Sequence, residues 1–169
     1  MQILLVRHAI AEEREIAGTG AGARSDRQRR LTDDGKRKFR KAAEALAEIV
    51  PDLALIATSP YVRTKETAEL LAAAFGKAPA VSDLVDLAPD GDNAAVLRFV
   101  AAQKALPVLA CVGHEPNLST LASYLLTGRE KSFIELRKGG ACLLDFPARI
   151  AAGSAILLWH LAPGMLREL

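Results

Sequence analysis

The sequence has 169 residues, half of them hydrophobic, and a formal net charge of +2. A chain of this length and composition can bury a sizeable core, so we expect one globular domain over residues 1–169. The small net charge excludes a strong overall attraction to nucleic acid or to an acidic membrane surface, and any selection for anions therefore has to be local.

The first predicted element is a strand over residues 3–6, an apolar run that leads directly into Arg7 and His8. Open α/β sheets bind their ligands at the carboxyl ends of their strands. This junction therefore predicts an arginine and an imidazole at a binding edge.

The segment 17–30 that follows contains glycines and arginines without apolar periodicity, which predicts a mobile surface loop. A solvated linker is the simpler interpretation. Because the loop leaves the Arg7–His8 junction, the alternative is that it borders a site and offers Arg24 or Arg30 to an anionic partner.

The first predicted helix begins after Thr32, an N-cap residue followed by two aspartates that suit the positive end of a helix dipole. It closes before Pro51. Its apolar face consists of Phe39, Ala42, Leu46 and Ile49.

A second strand over residues 53–57 leads into a helix for which the sequence predicts Ser59 as N-cap and Pro60 as first residue. Arg63 then falls in the first turn of that helix, where a cation opposes the dipole and calls for an explanation. Apolar positions at helical spacing continue to the residue before Gly76, and they are Ala68, Leu71 and Phe75.

The remaining elements keep the alternation of strand and helix. Helices are predicted over 93–104 and over 116–127, the latter closed by Gly128, with a strand at 108–112 between them. Two strands, 141–146 and 155–161, follow without a helix between them and predict a hairpin or edge pair. The pattern favours an α/β fold with helices packed on a mostly parallel sheet.

Of the three histidines, His8 and His114 follow apolar runs, whereas His160 lies inside the last predicted strand and is interpreted as structural. A phosphoryl group needs forked cations, hydrogen-bond donors and one nucleophile in line with the leaving group. Arg7 and Arg63 supply the forks. Neutral His8 supplies the nucleophile if one ring nitrogen donates its proton to a fixed acceptor, and His114 supplies a donor.

Other chemistries find weaker support in the sequence. The two candidate histidines are more than one hundred residues apart without a nearby ligand pair, so we expect no metal, and the run Asp90 to Asn93 lacks the remaining ligands of a calcium loop. Cys111 and Cys142 lie in apolar segments, which predicts buried thiols rather than a disulfide. The few aromatic residues do not interleave with the arginines of the loop, which argues against nucleic-acid binding.

Four motifs resemble those of the histidine phosphatase superfamily. Leu4 to Ala9 resembles its Arg-His-Gly signature, and Ser59 to Thr67 is similar to its Ser-Pro-x-x-Arg-x-x-x-Thr signature. Val112 to His114 looks like its third block, and Leu31 to Gly35 resembles its Leu-Thr-x-x-Gly helix start. The short length is most similar to that of the small SixA-type phosphohistidine phosphatases.

The resemblance implies a phosphoglycerate mutase-like, three-layer α/β/α sandwich. It also implies a phosphohistidine intermediate on His8 in a pocket formed with Arg7, Arg63 and His114, with no metal, no cofactor and a role in signal transduction. Ser59 is a further candidate for substrate binding.

The chain departs from the family pattern at two positions. Ala9 replaces the family's glycine, which slightly hinders close approach to the phosphate. The glutamate that follows the third strand in many members has no clear counterpart, and Asp86 is the nearest candidate for a proton donor.

A weak or absent proton donor bears on the substrate. An alkoxide leaving group benefits from a general acid by about 10²- to 10⁴-fold, whereas an imidazole is protonated near neutral pH and needs less help. The prediction is therefore a phosphatase for phosphohistidine on a partner protein. A small-molecule phosphomonoesterase acting on sugar or nucleotide phosphates and a non-catalytic phosphate-binding module stay open as alternatives.

The chain carries neither a recognisable signal peptide nor an apolar stretch near the roughly 20 residues of a membrane span. A cytoplasmic location without a membrane partner is therefore expected.

Overall fold

A six-stranded mixed sheet forms the centre of the computed structural model, which describes residues 1–13 and 25–169. The strand order is β3-β2-β4-β1-β5-β6. The first four strands in this order are parallel, β5 is antiparallel to β1, and β6 is antiparallel to β5. The strands are β1 (Gln2–Arg7), β2 (Leu53–Thr58), β3 (Ala80–Asp83), β4 (Val108–Gly113), β5 (Ala141–Asp145) and β6 (Ile156–Leu161).

Helices cover both faces of this sheet, which confirms the predicted three-layer α/β/α class. Alternate residues of β1 face opposite layers, because side chains along a strand alternate in direction. Leu4 and Val6 pack in one buried cluster with α1 and α2, whereas Ile3 and Leu5 pack in the other with α3 and α4. The helices are α1 (Asp33–Ile49), α2 (Val62–Ala73), α3 (Asn93–Ala102), α4 (Asn117–Thr127) and α5 (Pro163–Leu166).

The predicted start of α1 and end of α4 are confirmed by their caps. Thr32 accepts a hydrogen bond on its side-chain oxygen from the backbone N–H of Gly35. Gly128 adopts the left-handed conformation with φ of 75°, which glycine reaches without steric cost. The predicted burial of Ile49 on the apolar face of α1 is wrong. Ile49 is the last residue of the helix and is 40% exposed.

The predicted start of α2 is also wrong. This helix begins at Val62 with Tyr61 in the N-cap position, so neither Ser59 nor Pro60 belongs to it. The Ser59 hydroxyl lies 2.9 Å from Nε2 of His114, and it accepts only a long hydrogen bond, 3.5 Å, from the backbone N–H of Tyr61. Arg63 still falls in the first turn, as predicted.

The carboxyl-terminal strands form the expected antiparallel edge pair. His160 is exposed on this edge, so its interpretation as a structural histidine is wrong. Both cysteines are buried and free. No helix among the described residues has the length and hydropathy of a membrane span.

Candidate active site

His8 follows the last residue of β1, and a backbone contact fixes the orientation and tautomer of its ring. Its side chain is only 5% exposed. Nδ1 lies 2.7 Å from the carbonyl oxygen of Ala9, and since a carbonyl only accepts, this contact places the ring proton on Nδ1. The lone pair of neutral His8 is therefore on Nε2.

Arg63 faces that lone pair from the first turn of α2. Its Nε donates a hydrogen bond to Nε2 of His8 at 3.3 Å, although the arginine is only 3% exposed. Arg7 immediately precedes His8 in the chain. Its Nη1 anchors the side chain by donating to the carbonyl oxygen of Leu136 at 2.7 Å. Its buried Nε has no hydrogen-bond partner within the described residues. A buried donor without a partner is costly in a folded protein, and a bound anion would satisfy it.

His114 follows β4, the strand next to β1, and lies beside His8 with 5.2 Å between the ring centroids. Nε2 of His114 is 2.9 Å from the hydroxyl oxygen of Ser59, and its buried Nδ1 has no partner among the described residues. If the Ser59 hydroxyl donates to Nε2, then Nδ1 carries the proton and is a second donor available to an anion.

The structure thus brings His8, Arg63, His114 and Ser59 together at the carboxyl ends of the parallel strands, as the sequence predicts. Ser59 follows the last residue of β2, and the pairing of β2 with β4 brings it to the same edge of the sheet as His114. Neutral nucleophile, fixed cation and unpaired donors are the parts that phosphoryl transfer requires.

The sequence missed Asp26 and Arg29, which reach the same site. The short 3-10 turn Asp26–Gln28 places the Asp26 carboxylate 3.0 Å from Nη2 of Arg63, and the Asp26 carbonyl oxygen accepts from Nη1 at 2.6 Å. Arg29 Nε donates to the other carboxylate oxygen at 2.9 Å. Arg63 and Arg29 hold the pKa of Asp26 below its ordinary value, although burial acts in the opposite direction.

The last six residues of the loop predicted over 17–30 differ from the expectation of a mobile surface segment. Residues 25–30 pack against α2, whereas 17–24, including Arg24, lie outside the described residues. Arg30 directs Nε and Nη2 to Glu66 at 3.0 and 2.8 Å, so its guanidinium is committed to a carboxylate of α2. A substrate contact by Arg30 stays a prediction.

Comparison with known proteins identifies the family of this chain. The profile of the histidine phosphatase superfamily (branch 1) matches residues 3–86, which include the segments that carry His8 and Arg63. An uncharacterised protein of Picosynechococcus sp. is 34% identical over 156 residues, which is 90% of this chain and 90% of that protein. The chain belongs to the histidine phosphatase superfamily.

Solved structures show that this member of the superfamily shares its fold with enzymes of different names. The protein histidine phosphatase SixA complexed with tungstate matches with a TM-score of 0.80 at 21% identity, covering 97% of this chain and 98% of that one. The alpha-ribazole phosphatase from Shigella flexneri matches with a TM-score of 0.72 at 16% identity, covering 96% and 97% of the two chains. At these identities the similarity shows the fold alone.

Asp86, the residue expected to donate a proton, lies in a 3-10 turn, Val85–Leu87, after β3 and is half-buried. That turn packs closely against the end of β4. A side chain at Gly113, the last residue of β4, would place its Cβ 3.2 Å from the Leu87 carbonyl oxygen. The hydrogen bonds of the described residues do not join the Asp86 carboxylate to His8 or His114. Its role stays a prediction.

Thr67 has a structural role that its position in the motif explains. Its hydroxyl donates to the Arg63 carbonyl oxygen at 2.6 Å and accepts from the backbone N–H of Ala9 at 3.1 Å. One side chain therefore ties α2, which carries Arg63, to the residue that follows the His8 ring. The four-residue spacing from Arg63 to Thr67 is one helical turn, which makes the first bond possible.

The described residues form no candidate metal site. No group of three or more histidine, cysteine or acidic side chains in the described part of this histidine phosphatase is arranged to hold a metal ion.

Acid should destabilise the protein through its two buried histidines. Burial is the main cause that lowers the pKa of both His8 and His114 from 6.5 to about 3, and the charge of Arg63 acts in the same direction. In the unfolded chain both titrate near 6.5. Between these pH values the unfolded state binds protons that the folded state does not, so stability is complete above pH 6.5 and falls as the pH approaches 3. At pH 5 the loss is about 2 kcal/mol for each histidine.

Urea unfolding at pH 7 and pH 5 measures this effect, with a His8→Asn/His114→Asn double variant as control because carboxylates also titrate in acid. The wild-type free energy of unfolding should fall more steeply than that of the control. Parallel falls in the two proteins would show that the buried histidines do not carry the dependence.

Proposed function

We propose that this protein is a metal-independent phosphatase that hydrolyses phosphohistidine on a partner protein through a covalent intermediate on His8. The observation that carries the proposal is the state of His8, whose Nδ1 proton is held by the Ala9 carbonyl while Nε2 faces Arg63. This arrangement supplies a neutral imidazole nucleophile already oriented by a fixed acceptor and a cation.

In the first step the Nε2 lone pair of His8 attacks phosphorus, and the bond between phosphorus and the substrate imidazole breaks with its electron pair on the leaving nitrogen. That nitrogen takes a proton from water. In the second step water attacks phosphorus and releases a proton, which neutralises the hydroxide formed in the first step. The bond from phosphorus to Nε2 breaks with its electron pair on Nε2, and inorganic phosphate leaves. Arg7, Arg63 and His114 stabilise the charge on the equatorial oxygens in both steps.

Asp26 does not supply a proton to a leaving group. It is the carboxylate bound to Arg63, and although burial acts to raise its pKa, Arg63 and Arg29 hold that pKa below its ordinary value. An alkoxide leaving group needs a general acid more than an imidazole does. Asp86 is the remaining candidate for that acid, and a site without one suits a phosphoramidate better than a phosphate monoester.

Initial rates on a phosphohistidine peptide and on a panel of sugar and nucleotide monophosphates test the proposal, measured with chelator present and with His8→Ala as control. We expect faster, His8-dependent turnover of the phosphohistidine peptide. Preference for one monoester would assign a small-molecule phosphatase with Asp86 as its candidate acid. Loss of activity with chelator, or no turnover of either class, would contradict the proposal.

A further inference from the structure

Glu115 directly follows His114, and both of its carboxylate oxygens are engaged at the site's border. Oε1 accepts a hydrogen bond from the backbone N–H of Leu136 at 3.2 Å. Oε2 accepts from the hydroxyl of Ser119 in the first turn of α4. The carboxylate therefore ties a helix that starts beside the site to the backbone N–H of Leu136 in a distant segment.

The same residue anchors Arg7 through its carbonyl group, which belongs to the next peptide group along the chain. The Leu136 carbonyl oxygen accepts from Nη1 of Arg7 at 2.7 Å, while the Leu136 N–H is held by Glu115. The stretch 129–137 that contains Leu136 has no helix or strand of its own, so its position depends on contacts of this kind and on the fully buried Leu136 side chain.

We propose that Glu115 is a positioning residue for Arg7, acting through the backbone of Leu136 to aim the guanidinium at the bound phosphoryl group. The proposal rests on the proposed function only in that Arg7 contacts the oxyanion. It adds a residue that touches neither the substrate nor Arg7.

An arginine side chain needs a positioning contact of this kind because it is long and flexible. Its fork is planar and binds oxyanions well, but its long flexible stem has to be held in one conformation to present the fork. Fixing Nη1 on Leu136 leaves the buried Nε, which has no partner among the described residues, and Nη2 available for the oxyanion. Without Glu115 the Leu136 N–H loses this partner, and the backbone of Leu136 has one restraint fewer.

Tungstate affinity, measured by calorimetry, tests the proposal without depending on which phosphorylated substrate the protein hydrolyses. Glu115→Ala should weaken tungstate binding about tenfold, the scale expected from misplacing one hydrogen-bonded donor. Glu115→Gln should retain affinity within about twofold, because its amide oxygen still accepts from Leu136 and the Ser119 hydroxyl can accept from its NH₂ group. If Glu115→Ala fails to fold, Glu115→Met takes its place, since methionine keeps the side-chain length without the acceptor.

A double-mutant cycle separates positioning of Arg7 from a general structural effect. In an Arg7→Ala background, removal of Glu115 should change tungstate affinity by no more than about twofold, whereas in an Arg63→Ala background the tenfold loss should persist. An equal loss in the Arg7→Ala background would mean that Glu115 acts through another group such as His114, and would overturn the proposal. An unchanged affinity in Glu115→Ala itself would also overturn it.

These outcomes are distinct from failure of the proposed function. A protein that binds tungstate with the expected coupling but does not hydrolyse phosphohistidine keeps the positioning role of Glu115 and loses the assigned reaction. A protein that hydrolyses phosphohistidine without the coupling has the opposite result.

Discussion

Replacing His8 with alanine is expected to lower turnover of a phosphohistidine peptide by about 10⁴-fold or more, because the covalent route loses its nucleophile. Tungstate binding should fall far less, since the guanidinium groups of Arg7 and Arg63 and the ring of His114 remain. Steady-state rates and calorimetric titration of the same variant measure the two effects.

The matched control is His160→Ala, which removes an exposed histidine on β6 and should leave both quantities unchanged. If His8→Ala retained turnover within tenfold of the wild type, nucleophilic catalysis by His8 would be wrong. Loss of tungstate binding in proportion to turnover would instead indicate that the ring mainly holds the oxyanion.

Arg63→Ala should produce the second large effect, with kcat/KM falling about 10²- to 10³-fold, the range found when one donor to a developing charge is removed. Two consequences act together. The site loses a buried cation that lies 3.3 Å from Nε2 of His8, and the Asp26 carboxylate loses one of its guanidinium partners. A carboxylate that has lost this partner adds repulsion toward a phosphoryl group to the missing attraction.

The repulsion can be separated by adding Asp26→Asn to Arg63→Ala. The double variant should recover part of the activity lost in Arg63→Ala, and Arg63→Lys should fall between alanine and wild type because it keeps the charge without the fork. Arg98→Ala, at an exposed arginine paired with Asp92, is the control for a general loss of positive charge. A wild-type kcat/KM in Arg63→Ala would contradict the placement of Arg63 in the phosphate pocket.

Much of this site was predictable because its residues follow directly after the apolar runs that form the strands. The apolar runs of β1 and β4 end immediately before Arg7 and His114, and parallel strands bring their carboxyl ends to one edge of the sheet. The opposition between Arg63 and the dipole of α2 signalled that this cation serves something other than its helix.

The rest depended on contacts that local sequence does not encode. The turn that carries Asp26 has no apolar periodicity, and it is placed by an ion pair with a residue 37 positions away. Ser59 has the chemistry of an N-cap, and only the position of the His114 ring shows that its hydroxyl is used elsewhere. Glu115 gave no signal, because its partner Leu136 is an ordinary apolar residue that binds the carboxylate only through its backbone N–H.

The most direct test of the account is to trap the phosphoenzyme. The wild-type protein is mixed with excess phosphohistidine peptide, quenched in alkali, where phosphohistidine survives better than in acid, and digested for mass spectrometry. The account predicts a phosphoryl group on His8, absent from His8→Ala and unaffected by chelator. Rapid hydrolysis with no phosphorylated enzyme, or with the phosphoryl group on His114, would contradict it.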